Sequence, residues 1–317
     1  MNKRTNIFLF FLLLLQIALI GYMYRPGRQA PPPQEVAFFK GVTPEQVVKV
    51  EISGQDNKSV TLKRDGKDWV IASKDNYPVN ETKLTAFLKK ITSLRSRQLV
   101  TRTKASHERF KLGKNPNRKI VMTLADGTEK ALLLGTEPNF KAVHVRLDDD
   151  DDIYLVRGLS SWEAPFTPLS WWRSEYVDLA SADLVSVKLV NGIGEFSLLK
   201  NDKGKWHLVG SDAVLSDSAV RDFLESASRI MIAGYLGRAE KKEYGMDKPT
   251  ADLTLKTGGK EIEVKVGAKQ KESGDYVVKS SASPFYVHVG KYALDKLFTE
   301  KAELLIDKGQ QDKGVGK

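Results

Sequence analysis

The chain has no cysteine. That absence removes any disulfide framework, any thiolate metal site and the lipid-modified N-terminal cysteine of a bacterial lipoprotein. Histidine is almost as scarce, with His107, His144, His207 and His288 the whole supply. None lies within helix or hairpin spacing of another, so a metal site lacks a second ligand and acid–base chemistry lacks a partner. No Gly-x-x-x-x-Gly-Lys-Ser/Thr loop and no Gly-x-Ser-x-Gly elbow occurs. Asn191 to Ser197 has two glycines but lacks the third of a dinucleotide loop and lies between two strands, so a phosphate would meet no helix N-terminus. Catalytic, cofactor-binding and metal residues are all read as none, and the chain is not expected to be an enzyme.

Fifty Lys and Arg against forty Asp and Glu leave a net charge of +10. A basic surface suits anionic lipid, glycan or nucleic acid. Dense basic runs interleaved with aromatics are missing, so no nucleic-acid partner is expected and a solvated basic surface is the plainer reading. Asp148 to Asp152 is a run of five carboxylates. A calcium loop needs alternating ligands and a glycine, and a straight run cannot aim every side chain inward, so a solvated hairpin turn is expected instead. Asn57-Lys58-Ser59 and Asn80-Glu81-Thr82 match a glycosylation pattern that chance supplies in a chain of this length.

What is present begins with a membrane anchor. Ile7 to Tyr24 is nearly unbroken apolar sequence behind Lys3 and Arg4. At 1.5 Å per residue it spans about 27 Å, close to the hydrocarbon thickness, with Tyr22 and Tyr24 suited to the interface. No small-x-small cleavage site follows, so residues 1–24 read as a cytoplasmic tail and an uncleaved signal anchor. The short tail and the large body behind it favour a cytoplasmic N-terminus and a periplasmic body. Residues 25–44, with Pro31-Pro32-Pro33, read as a stiff Pro-rich spacer.

The 317 residues suit two domains. Val60 to Ile71 alternates apolar positions, turns at Asp65-Gly66 and restarts at Trp69; Phe196 to Val209 repeats the pattern around Trp206, 137 residues later (206 − 69). Each is a hairpin. Val48 to Ile52 has its counterpart in Leu184 to Leu189. The helix face Leu84, Phe87, Leu88, Ile91, Leu94, with Asn80 as N-cap, has its counterpart in Val220, Phe223, Leu224 and Ala227. Further strands are expected at 119–125, 130–135, 142–147 and 153–156, with Val266-Gly267 echoing Leu134-Gly135 and Phe285 to Val287 echoing Ile153 to Leu155. The expected fold is therefore α+β: a transmembrane helix, then two tandem repeat units, each a mostly antiparallel sheet with one main amphipathic helix. The units are placed at 45–157 and 184–300, the connector at 158–183 and a polar tail at 301–317. The connector holds Trp162, Trp171 and Trp172, which are expected to pack against the units, with a glycan-stacking platform as the functional alternative. Trp69 and Trp206 are expected to be matched core anchors.

Asp65-Gly66-Lys67-Asp68-Trp69, the Asn80 to Leu94 helix and Tyr244-Gly245-Met246-Asp247-Lys248-Pro249 resemble the bacterial domain-of-unknown-function family 4340, over roughly residues 45–300. The last of these is similar to the family's Tyr-Gly-Leu-x-x-Pro signature. The first unit has Phe110-Lys111-Leu112-Gly113 in its place, and its local turn is free to differ. The resemblance implies a bacterial envelope protein without assigned catalysis, encoded beside permease and ATPase subunits of gliding-type ABC-2 export systems. The resulting expectation is a non-enzymatic accessory or scaffold protein of the inner membrane, with ABC-2 permease subunits as partners and the bilayer engaged through Ile7 to Tyr24. The alternative is a binding module for an anionic envelope polymer, such as peptidoglycan or an acidic polysaccharide.

Overall fold

The computed structural model describes residues 3–23, 34–54 and 58–307. Tyr24, residues 25–33 of the expected spacer and residues 308–317 of the expected tail lie outside the described residues, whereas residues 34–44 are folded in, with Phe38 and Phe39 buried and Pro44 opening a 3-10 turn. Helix α1 (Lys3–Met23) is a single unbroken helix. Its Thr5–Tyr22 window has a mean hydropathy of 2.1 and buries nothing. An apolar helix with no polar face and no protein cover is suited to lipid or to a signal sequence.

Contacts divide the chain into two compact units, residues 1–58 with 86–165 and residues 59–85 with 166–317. The strands of the first half are β1 (Val36–Ala37), β2 (Val47–Gly54), β3 (Ser59–Asp65), β4 (Asp68–Ile71), β5 (Tyr77–Pro78), β6 (Arg95–Ser96), β7 (Leu99–Thr101), β8 (Arg118–Leu124), β9 (Glu129–Leu134), β10 (Ala142–Leu147) and β11 (Ile153–Arg157). Helix α2 (Glu81–Thr92) lies between β5 and β6. Nine of these strands form one sheet in the order β5-β4-β3-β2-β8-β9-β10-β11-β7, and β1 pairs with β6.

The second half follows with β12 (Glu175–Asp178), β13 (Leu184–Asn191), β14 (Glu195–Lys200), β15 (Trp206–Leu208), β16 (Arg229–Met231), β17 (Gly234–Gly237), β18 (Ala251–Thr257), β19 (Glu261–Lys269), β20 (Tyr276–Ser280) and β21 (Tyr286–Val289). Helix α3 (Asp217–Ser228) follows β15, and the short α4 (Asp295–Thr299) comes after β21. Eight strands form the order β15-β14-β13-β18-β19-β20-β21-β17, and β12 pairs with β16. Every pairing described in either half is antiparallel. A sheet-rich, mostly antiparallel body with few helices behind an apolar N-terminal helix is thus the architecture.

Period-two alternation explains the strands. Val50, Ile52, Ile120, Met122 and Leu132 are fully buried in the first half, and Val187, Leu189, Leu253, Leu255, Val264 and Val266 in the second. The helices bury the faces that their spacing of three and four defines: Leu84, Phe87, Leu88 and Ile91 on α2, and Val220, Phe223, Leu224 and Ala227 on α3. Asn80 caps α2, its Oδ1 accepting from the Lys83 amide at 3.0 Å, and the Ser216 Oγ accepts from the Ala219 amide at 3.4 Å on α3. The chain stays packed as far as the fully buried Leu305, whose carbonyl accepts from the Ser216 amide at 2.8 Å.

Of the connector tryptophans, Trp171 is completely buried and Trp172 packs partly buried against the core of its unit. Trp162 departs from the expected packing and is 71% exposed. Its short 3-10 turn is held through the backbone by a capping box between Ser160 and Glu163, which leaves the indole pointing outward.

Candidate functional site

The sparse titratable residues do not converge. Among the described residues no three His, Asp or Glu side chains are placed to hold a metal ion. His107 is buried, with Nε2 3.0 Å from the Asp151 carbonyl oxygen. His144 Nδ1 lies 2.9 Å from the Thr136 hydroxyl, and burial holds its pKa below the usual imidazole value. Burial does the same to His288.

The Asp148 to Asp152 run is the turn between β10 and β11, as its composition indicates, but it is more than a solvated loop. Asp148 meets Lys119 at 2.7 Å and Asp152 meets Arg102 at 3.5 Å. Its backbone does more. Arg146 is buried, and its guanidinium donates to the carbonyls of Leu112, Leu147, Asp148 and Asp150 at 2.7–3.2 Å. The sequence hides this role, because Arg146 falls in a strand whose alternation gives no sign of a buried cation.

The family-like motif forms a tight corner. Tyr244 and Gly245 close a 3-10 turn, with Gly245 left-handed at φ 65°. The Tyr244 carbonyl lies so close to Gly267 that a Cβ there would overlap its oxygen and press on the Met246 side chain. Phe110-Lys111-Leu112 makes the same corner over Gly135. Lys111 is left-handed at φ 53°, the Phe110 carbonyl accepts from the Thr136 amide at 2.8 Å, and a Cβ on Gly135 would strike that carbonyl. The next loop caps each glycine. Asn117 Nδ2 donates to the Gly135 carbonyl at 2.7 Å, and Thr250 Oγ1 donates to the Gly267 carbonyl at 2.9 Å. The turn left open by the Phe110-Lys111-Leu112 departure therefore keeps its backbone, with lysine in a conformation that costs an ordinary residue about 1–2 kcal/mol.

The two hairpin tryptophans differ in their surroundings. Arg64 sits across the strand pair from Trp69, 5.3 Å from its ring, and Lys200 sits likewise 5.8 Å from Trp206. Trp69 is only 5% exposed. Its amide donates to Glu81 Oε1 at 3.4 Å, its carbonyl accepts from Val79 at 2.9 Å, and β5 pairs along the outer side of β4. Trp206 is half-buried, contrary to the expectation of a matched core anchor. The second sheet ends at β15, and Ala213 stands three residues before the Ser216 cap where Tyr77 stands three before Asn80. The indole consequently lines two clefts, of about 580 and 310 Å³.

A further cleft of about 670 Å³ is lined by Asp75, Asn76, Gly237, Arg238 and Lys241. Asp75 and Asn76 are both left-handed, at φ 48° and 60°, in the turn that delivers the chain to β5. Asp75 accepts a hydrogen bond from the Tyr235 hydroxyl, and its carbonyl accepts from Arg238 Nη2 at 2.9 Å. The Arg238 guanidinium lies 4.7 Å from the centre of the Phe285 ring. Nearby, the Tyr286 hydroxyl donates to Glu240 at 2.6 Å. Burial first, then the partner carboxylate, pushes the Tyr286 pKa up to about 12 and raises that of Tyr235 as well. Such hydroxyls keep their protons at neutral pH, so they serve as donors that fix carboxylates and offer no phenolate nucleophile.

No curated protein and no solved structure matches the chain. A family model described as "Domain of unknown function (DUF4340)" matches residues 69–249, more than half of the chain. That span opens on Trp69 and closes on Pro249, and it takes in the left-handed residues Lys111 and Gly245 of both corners but stops short of Gly267. The chain belongs to the DUF4340 family.

Proposed function

We propose that the protein is a membrane-anchored, non-enzymatic accessory or scaffold subunit of an ABC-type export assembly, built from two tandem copies of one sheet-and-helix unit. The observation that carries the reading is α1. Its window from Thr5 to Tyr22 has a mean hydropathy of 2.1 and no polar face and is wholly unburied, which suits a segment covered by a bilayer. The short basic N-terminus supports a cytoplasmic start, with the body on the periplasmic side of the inner membrane.

Strand order supports the duplication. Without β5, the first sheet reads β4-β3-β2-β8-β9-β10-β11-β7, and the second reads β15-β14-β13-β18-β19-β20-β21-β17. These correspond strand for strand. A 12-residue helix follows the tryptophan hairpin in both halves, and the glycine-seated corner recurs. The scaffold role is supported by what these polar groups do, since the buried Arg146 and the more accessible capping Asn117 and Thr250 all hold backbone carbonyls. The export partner rests on the family's expected company. Crosslinking in native membranes followed by purification of the full chain should recover a transporter permease. Repeated recovery of the anchored chain alone would refute the assignment.

A further inference from the structure

Trp206 lies where two clefts meet, and Asp217 and Arg221, one turn apart on α3, line both of them. Among the described residues, the side chains of Lys205, Asp217, Arg221 and Glu225 make no hydrogen bond or ion pair, and neither does the indole N–H. Polar groups left to water beside an aromatic face can exchange that water for a ligand's hydroxyls. The first half lacks this arrangement, since Trp69 is covered.

Charge selects the ligand. One cleft sets Lys205 and Arg221 against Asp217 and Asp307; the other sets Lys200 and Arg221 against Asp217 and Glu225. A polyanion gains little where each pair of cations is matched by two carboxylates. A proline-rich peptide could stack on the indole but brings few N–H groups for the carboxylates. A neutral sugar offers a C–H face to the ring and hydroxyls that donate to Asp217 and Glu225 while accepting from Arg221 and the lysines. From these features we infer that Trp206 is the stacking platform of a binding site for a neutral saccharide chain, one sugar on the indole and its neighbours in the two clefts. The inference does not depend on the export partner, and it replaces the anionic polymer expected from net charge with an uncharged one.

The test uses the full chain in a detergent without a sugar headgroup. Chitotriose, cellotriose and maltotriose are titrated by saturation-transfer NMR, beside trigalacturonate and a proline-rich peptide. Saturable binding of at least one neutral trisaccharide is expected, changing less than about twofold between low and high salt. Trp206→Ala should weaken it about tenfold or more, Trp206→Phe should retain part of it, and Trp162→Ala should leave it unchanged. Arg221→Ala, at an exposed position, tests the site without disturbing the core. Melting curves establish that each variant is folded. The proposal fails if the folded chain binds none of the neutral probes, or if binding survives both Trp206→Ala and Arg221→Ala. It also fails if trigalacturonate or the peptide is preferred.

Discussion

The corners over Gly135 and Gly267 and the hairpins of Trp69 and Trp206 are two comparisons with opposite outcomes. At the corners, backbone geometry is kept while side chains change: Phe for Tyr, Lys for Gly, Asn for Thr. At the hairpins the tryptophan is kept while its surroundings change. A carbonyl seated on a glycine Cα leaves room for no alternative, because any side chain on that Cα must displace backbone. A sheet edge has no such constraint. With no strand beyond β15, and Ala213 standing where the other hairpin has Tyr77, the strand ladder of β14 and β15 is intact and the indole is merely uncovered.

The largest expected effect comes from breaking the tryptophan comparison. Trp69→Ala should destabilise the protein by about 3–5 kcal/mol, as for other buried large aromatics. Trp206→Ala should lose clearly less, because part of its surface already faces solvent. Urea melts of the two variants decide this, and equal losses would restore the view that both are core anchors. Next come the glycines. Gly267→Ala and Gly135→Ala should each cost about 1–3 kcal/mol or more, since the new methyl group meets a carbonyl that a capping side chain also holds. A small loss at either position would show that corner to be free to shift. The smallest effect separates the two left-handed residues. Gly245→Ala should lose about 1–2 kcal/mol, whereas Lys111→Gly should change stability by less than about 1 kcal/mol, the relieved strain being offset by glycine's unfolded-state entropy. Thermal melts of both variants would sharpen the claim that one backbone is shared by two chemistries.

Much of the fold was legible because alternation and helical spacing record which side of an element faces apolar neighbours. Val50 and Ile52, or Phe223 and Leu224, declare their burial to anyone counting in twos or in threes and fours. Positions decided by partners distant in sequence were not legible. Gly135 and Gly267 look like ordinary strand ends until Phe110 and Tyr244 arrive from more than twenty residues upstream. Trp206 has the same local pattern as Trp69, and only the covering elements distinguish them. Trp162 sits in a stretch apolar enough to suggest packing, yet its turn is fixed through backbone and a capping box, which place no demand on the indole. Among the clefts, the signal that existed was the tryptophan itself; the matched charges around it come from β14, the following turn, α3 and the segment after α4, and emerge only once these are brought together.

Arg146 carries a consequence for how freely the acidic loop can change its sequence. Its guanidinium is held mainly by backbone carbonyls, with the Asp148 carboxylate 3.8 Å away, and a carbonyl is supplied by any residue. The links from Asp148 to Lys119 and from Asp152 to Arg102 need aspartate side chains, whereas the carbonyls of Leu112, Leu147, Asp148 and Asp150 are present whatever side chains those positions carry. The loop thus has an outer ring of contacts written in its side chains and an inner one written mainly in its backbone path, so most of the seat of Arg146 survives exchange of the aspartates one at a time.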